Sequence, residues 1–307
     1  MIELDLRRRF FAEELEAVCR LRTPALVDAF ARVKRDEVLP PGPWTVLSDS
    51  GESYMMGAAV RTRVTPDADP ARVHHNIAVA IDPERQLFNG QPATLGAWID
   101  ALGLSPGSRV LHVGAGLGYY TAVMGECVGP AGRVLAYEVD AALAGEAVRR
   151  LASRSWIELR HGDASGLLDG SFDAILVNAG VTHPLASWLD GLAPGGRMML
   201  PLTAVMPGVG ATLGKGLAIL VTRHAGDTFA ARVIAVVAVY SALGIRDPGM
   251  DERIGKALMA GPARWMAVSR LRRDAHAPDA SCWLHGPSCC LSTNPSTVPD
   301  SKTSADR

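Results

Sequence analysis

Val110 to Tyr120 reads VLHVGAGLGYY, an apolar run that breaks into glycine at positions 114, 116 and 118 and then into two tyrosines. A strand that runs through such a turn into a helix bares backbone where a ligand can pass, at the carboxyl edge of a parallel sheet. The flanking sequence repeats the rhythm. RVLHV (109–113) precedes a helix from Tyr119, and RVLAYEV (133–139) precedes a helix from Ala141 to Ala152. IELRH (157–161), FDAILVN (172–178), a helix around Leu185 to Leu192 and GRMMLPL (196–202) follow. This alternation predicts a doubly wound α/β fold with a mainly parallel, Rossmann-like sheet. Two more strand-like runs, Gly216 to Arg223 and Phe229 to Tyr240, are joined through Gly226-Asp227. They read as a hairpin that ends a seven-stranded sheet in antiparallel strands.

Outside this core, residues 8 to 35 carry apolar positions at helical spacing, interrupted at Thr23-Pro24, which predicts an N-terminal helical addition. Pro40 to Asp82 is rich in Pro, Gly, Asp and Ser and is expected to be irregular, a lid or pocket wall. From residue 272 the text is dense in Ser, Pro, Asp and Thr without apolar period, which predicts a disordered tail. The expected division is 1–104, a substrate-side region; 105–271, a ligand-binding core; and 272–307, the tail.

Composition narrows the partners. Thirty-one basic against 32 acidic residues leave a net charge of -1, which gives no broad field for a polyanion, so nucleic acid is not expected. The longest mostly apolar run, Val233 to Ile245, is shorter than the roughly 20 residues of a membrane span. The first 18 residues mix charge with apolar side chains and lack the pattern of a secretion signal, so cytoplasmic residence is expected. Five cysteines (19, 127, 282, 289 and 290) form no disulfide framework and suit a reducing compartment.

Two further strand ends carry ligand-type residues. Glu138, twenty positions after Gly118, can accept from the hydroxyls of an adenosine ribose. Asp163, in His161-Gly162-Asp163-Ala164, can reach an adenine edge. Nicotinamide dinucleotides and S-adenosylmethionine share this plan, but the spacing here is G-x-G-x-G rather than G-x-G-x-x-G. Val177-Asn178-Ala179-Gly180 resembles short-chain dehydrogenases, yet no tyrosine has the lysine four positions on that their chemistry needs. The balance favours S-adenosylmethionine.

Together VGAGLGYYTAV, YEVD, HGDA, FDAILVNAG and LAPGGRMMLPLT resemble the protein-L-isoaspartate O-methyltransferases, a branch of the class I S-adenosylmethionine-dependent fold. AFARVKRDEVLP (29–40) resembles that family's early helix and the segment after it, and GQPATLGAWIDALGL (90–104) its Gln-Pro helix. The similarity runs from Pro24 to Asp247 in matching order. It implies that Gly114, Gly116 and Gly118 line the cofactor's methionine and ribose, that Glu138 binds the ribose hydroxyls, and that Asp163 and Ala164 meet the adenine. His112, Ala115, Tyr119, Val139 and Asn178 adjoin these and are expected among the cofactor contacts. Gln91 and Pro92 would shield the methyl group. Family members that repair isoaspartyl residues carry serine just before Gln-Pro; here that place is Gly90, with Asn89 as the neighbouring polar group.

The implied reaction moves methyl to a carboxylate of a protein or peptide. A carboxylate is already ionised at neutral pH and needs no general base. Another peptide or small-molecule acceptor, or cofactor binding without turnover, are the alternatives. A hydroxyl or amine acceptor would be served by His183 as base. His74 and His75 are expected to be solvated, and Cys282, His285, Cys289 and Cys290 lack a two-by-two knuckle, so no metal is expected.

Overall fold

The computed structural model describes residues 3–48, 61–166, 168–205 and 213–294. Two helices open the chain, α1 (Leu4–Cys19) and α2 (Pro24–Arg32). Pro24 takes the first turn of α2, where its missing N–H breaks no helical bond, and α2 buries Leu26, Val27, Ala29 and Phe30. After one turn of helix, α3 (Arg35–Val38), come two short antiparallel pairs: β1 (Thr45–Leu47) with β2 (Thr62–Val64), and β3 (Ala80–Asp82) with β4 (Leu87–Phe88). The expectation of irregular structure with small strands over Pro40 to Asp82 meets these elements; residues 49–60 lie outside the described residues. α4 (Pro92–Leu102) then leads into the sheet.

The alternating core follows as β5 (Arg109–Val113), α5 (Tyr119–Val128), β6 (Arg133–Glu138), α6 (Ala141–Leu151), β7 (Ile157–His161), β8 (Phe172–Val177), α7 (Ala186–Gly191) and β9 (Leu192–Val205). The hairpin is β10 (Leu213–Arg223) with β11 (Phe229–Tyr240). Beyond it lie α8 (Pro248–Met259), α9 (Pro262–Met266), β12 (Arg270–Arg272), β13 (Cys282–His285) and β14 (Cys290–Ser292). The main sheet runs β13-β14-β12-β11-β10-β9-β8-β5-β6-β7. It is parallel from β9 to β7 and antiparallel on the other side of β9.

This corrects two expectations. Among the described residues the sheet has ten strands, not seven, and residues 272–294 are not a disordered tail; residues 295–307 lie outside the described ones. Strands of three and four residues are too short to show a period. Their support is remote in sequence: β12 pairs with β11 through Phe229 and Leu271, while Trp283, Leu284 and Leu291 join an apolar cluster that includes Ile254 and Val268. Arg273 bonds Asp190 at 2.7 Å and Asp227 at 3.0 Å.

Apolar cores cover both faces, one built on α1, α2, α4 and α5, the other on α7, α8 and the end of the chain. From β5 the chain steps outward to β6 and β7, then returns to the opposite side of β5 as β8. The helices that follow β5 and β8 therefore pack on opposite faces of the sheet, and the crevice outside the carboxyl ends of these strands is the ligand position of open α/β sheets. Among the described residues no helix is long and apolar enough to cross a membrane.

Candidate active site

The glycine turn occupies that crevice. Gly114, Gly116 and Gly118 have φ of 82°, 57° and 89°, a left-handed backbone that side chains resist. Their reasons for being glycine differ. A Cβ on Gly114 would stand 3.3 Å from the Asn178 carbonyl oxygen, so the loops after β5 and β8 nearly touch. On Gly116 it would meet Ile81 at 3.4 Å, and on Gly118 it would strike Leu151 of α6 at 2.8 Å. Gly118 thus serves helix packing, Gly114 the close approach of the loop after β8, and Gly116 a backbone that lies against Ile81. The Gly114 and Ala115 N–H groups both bond the Tyr137 carbonyl at the end of β6, which holds the turn against the next strand.

Glu138 terminates β6 and is 7% exposed. Its Oε2 accepts the Gly116 N–H at 2.6 Å and its Oε1 accepts the Asp140 N–H at 3.0 Å. Each carboxylate oxygen keeps a further lone pair for a hydroxyl donor. Asp140 caps α6 through the N–H groups of Ala142 and Leu143 and takes Arg85 Nη1 at 2.5 Å; the Leu143 N–H and Arg85 hold its carboxyl below the usual range. Asp163 follows β7, its Oδ1 taken by the Ser165 hydroxyl at 2.6 Å and N–H at 3.0 Å. These two bonds lower its pKa, so it is a carboxylate at neutral pH. Ala164 has φ 56°, and its carbonyl accepts Trp188 Nε1 at 3.0 Å. Asn178, after β8, donates from Nδ2 to the Gly114 carbonyl at 3.4 Å. Val139, part exposed, lies between Glu138 and the cap of α6.

Two expected contacts are not at the surface. His112 is 0% exposed, with Nδ1 bonded to Thr121 Oγ1 at 2.8 Å on α5. Burial pushes its pKa down to about 3, so it is neutral and structural. Tyr119 is also wholly buried, its ring 5.0 Å from that of Tyr120 and beneath the Arg35 guanidinium at 5.5 Å. Both side chains stand where β5 and α5 turn inward, so neither offers a ligand any surface. His74 is a third correction: it is buried and bonded to Asp36 Oδ1 at 2.8 Å.

The methyl-side loop is assembled from distant parts. Gln91 and Pro92 start α4, whose first turn is capped by Asn76 Oδ1 accepting the Ala93 N–H at 2.9 Å. Gly90 has φ 53°, its carbonyl accepts the Tyr120 hydroxyl at 3.1 Å, and a Cβ there would meet Leu95 at 2.9 Å. Asn89 is buried, with Nδ2 lacking a partner among the described residues. Ile81, which meets the glycine turn, lies within the stretch expected to form a lid or pocket wall, whereas Tyr240 and Gly244 were missed by sequence reasoning. Ile81 belongs to the β3–β4 hairpin, which Tyr240 clamps by donating its hydroxyl to the Gln86 carbonyl and accepting the Phe88 N–H. Gly244 is tight against Asp163, where a Cβ would stand 3.0 Å from Oδ2. No local pattern marks these residues, because Ile81 meets Gly116, Gly244 meets Asp163 and Tyr240 meets Gln86 only across distant parts of the chain.

His183, after β8, is half-buried, and Thr182 Oγ1 lies 3.0 Å from its Nδ1; burial lowers its pKa. The residues brought together fit an adenosyl ligand: a left-handed glycine turn after β5, one carboxylate at the end of β6 and another after β7.

Known proteins with this arrangement were compared with the chain. The family model described as Protein-L-isoaspartate(D-aspartate) O-methyltransferase matches residues 53–208. A protein-L-isoaspartate O-methyltransferase of Methylorubrum extorquens is 34% identical over 233 residues, 73% of this chain and 94% of that one. Its counterpart from Methylorubrum populi is 33% identical over 71% of this chain and 87% of its own. Among solved structures, a putative protein-L-isoaspartate O-methyltransferase from Plasmodium falciparum in complex with S-adenosyl-L-homocysteine superposes with a TM-score of 0.56. That likeness, at 15% identity over 76% of this chain and 97% of the other, concerns the fold. The glycine turn, the acids behind it and the length of the match agree: this chain belongs to the protein-L-isoaspartate (D-aspartate) O-methyltransferase family.

Proposed function

We propose that the chain transfers methyl from S-adenosylmethionine to a carboxylate of a protein or peptide, with an isoaspartyl residue as the acceptor. The observation that carries this reading is the pair of carboxylates, Glu138 and Asp163, at successive strand ends behind the left-handed glycine turn at Gly114 and Gly116. Bound S-adenosylmethionine supplies an electrophilic methyl on a sulfonium. The chain's own part is to orient and to exclude water. Glu138 would take the ribose hydroxyls, Asp163 with Ala164 the adenine edge, and Gly114, Ala115, Gly116 and Asn178 the methionine side. Gly118 shapes the turn. The β3–β4 hairpin, held by Tyr240 and by Arg85, covers the crevice.

The acceptor side departs from the serine that isoaspartyl-repairing members carry before Gln-Pro. The left-handed backbone of Gly90 makes a serine there strained, and its Cβ would have to displace the end of the Leu95 side chain. Other polar groups must receive the acceptor. Arg63, Asn76 and Gln91 line a cavity of about 380 Å³ beside this loop and supply a cation and two amides suited to a carboxylate-bearing peptide. Since a carboxylate acceptor needs no base, the reading requires no dyad.

His183 supports a second reading, a hydroxyl or amine acceptor. Its lowered pKa keeps the ring neutral and able to take a proton at neutral pH. Labelled S-adenosylmethionine presented with an isoaspartyl peptide and its aspartyl isomer separates the two. Label confined to the isoaspartyl peptide, and released as methanol in mild base, marks a carboxyl methyl ester. Base-stable label on another acceptor would sink the carboxylate reading, and so would binding without any transfer.

A further inference from the structure

The end of the chain brings two histidines and two cysteines to one point. One donor atom from each of His276, Cys282, His285 and Cys290 lies within 4.8 Å of every other. Zinc bound by two thiolates at about 2.3 Å and two imidazoles at about 2.0–2.1 Å needs a tetrahedron with edges of roughly 3.4–3.8 Å. The four groups are within side-chain rotation of that shape. Cys282 Sγ and His276 Nε2 are already 3.6 Å apart.

Local folding explains the convergence. Cys282 and His285 are three positions apart and would face opposite sides of a regular strand. A bulge between Cys282 and Leu284 turns both to one side of β13, and β14 pairs Cys290 directly with His285. His276 arrives from the preceding loop, its ring edge-on to that of His285 at 4.7 Å between centroids.

The surroundings are those of a ligand set. His276 Nδ1 lies 2.8 Å from the Asp274 carbonyl, a bond in which Nδ1–H donates and the Nε2 lone pair is left toward Cys282. Cys282 Sγ accepts the Asp279 N–H at 3.4 Å. His285 Nδ1 is buried with no hydrogen-bond partner among the described residues. By contrast Cys289, next to Cys290, packs into the apolar cluster with Trp283 and Leu291.

We propose that His276, Cys282, His285 and Cys290 bind one structural Zn²⁺. Binding releases two thiol protons and leaves a neutral Zn(Cys)₂(His)₂ unit with no open position, so its role is to hold the fold and not to activate water. The need is physical, since strands of three, four and three residues bury little surface and form a marginal unit alone. The ion would staple them at the edge of the sheet and against α8, where Arg253 Nη1 donates to the His285 carbonyl and Trp283 Nε1 to the Ala257 carbonyl.

The test is metal analysis of the full chain, purified anaerobically under reducing conditions with zinc supplied and then dialysed. About one zinc per chain is expected, retained in Cys289→Ala and lost in Cys282→Ser and Cys290→Ser. Exchange of the wild-type chain with Co²⁺ supplies a readout that does not depend on the variants folding: intense visible bands of a tetrahedral site, with charge-transfer absorption from two thiolates. The proposal is overturned if the wild-type chain retains less than about a tenth of an equivalent. It is equally overturned if cobalt gives only the weak bands of an octahedral ion, or if Cys282 and Cys290 emerge joined as a disulfide under these conditions.

Discussion

The carboxyl edge of β5, β6 and β7 and the opposite edge of the same sheet, β12 to β14, are held by different means. At the first edge the chain is continuous from Arg109 to His161, and each strand pairs with its successor in sequence. Its candidate ligand residues stand at strand ends because strand, turn and helix leave them there. At the second edge three short strands are gathered by pairing, by ion pairs such as Arg272 with Asp274 at 2.6 Å, and by the cysteine and histidine cluster. The contrast teaches that one edge is specified locally and can carry a conserved chemistry, whereas the other is specified by contacts across the chain and serves stability.

The largest expected effect tests the first half of that statement. Glu138→Ala removes the carboxylate that bridges the glycine turn and the start of α6 and that would hold two ribose hydroxyls. With hydrogen bonds to charged groups worth about 1.5–3 kcal/mol each, S-adenosylhomocysteine should bind at least about 100-fold more weakly by calorimetry. An affinity unchanged within threefold or so would remove Glu138 from the site.

Trp283→Ala probes the other edge. Truncating this buried ring should cost about 3 kcal/mol, expressed as faster amide exchange in residues 250–292. Cofactor affinity should move by less than about twofold, because six strands of the sheet separate β13 from β5. Loss of cofactor binding in step with stability would show that the edges are one cooperative unit and would break the comparison.

What could be read from the sequence divides along the same line. The alternation of strand and helix from Arg109 to Leu202, the glycine turn and the acids at 138 and 163 were legible because each depends on neighbours within a few residues. His112 and Tyr119 were misread for an instructive reason: they lie inside the motif, but pleat and helix direction turn their side chains into the core, which adjacency in sequence does not reveal. Ile81, Tyr240 and Gly244 reach the site from remote segments. The polar composition of residues 272–294 hid β13 and β14, because edge strands of three or four residues draw their order from partners and not from apolar period.

Gly118→Ala sharpens the local side. A side chain at φ 89° costs about 1 kcal/mol, and its Cβ would strike Leu151 at 2.8 Å, so a total loss of about 2–3 kcal/mol in denaturant unfolding is expected. In a double-mutant cycle with Leu151→Ala the contact part should disappear and the backbone part of about 1 kcal/mol remain. A cycle showing no coupling would mean that α6 is not what requires glycine here.

Over the single unit between about pH 6 and 5 the smallest effect is a pH dependence that originates in the parallel half. His112 is buried and neutral, with its pKa lowered from 6.5 to about 3 by burial. The unfolded chain therefore binds a proton between these values that the folded chain refuses. Stability due to this group is fully present above about pH 6.5 and falls by about 1.4 kcal/mol for each unit below it, until the folded group itself titrates near 3. His112→Asn keeps a polar partner for Thr121 but cannot titrate. The variant is expected to be somewhat less stable than the wild-type chain at about pH 7.5 and to lose stability less steeply between about pH 6 and 5, where other carboxylates are still ionised. Equal slopes for the two proteins in urea unfolding across that window would mean that the histidine is protonated in place, and that the interior beneath the glycine turn is wetter than its packing against Thr121 implies.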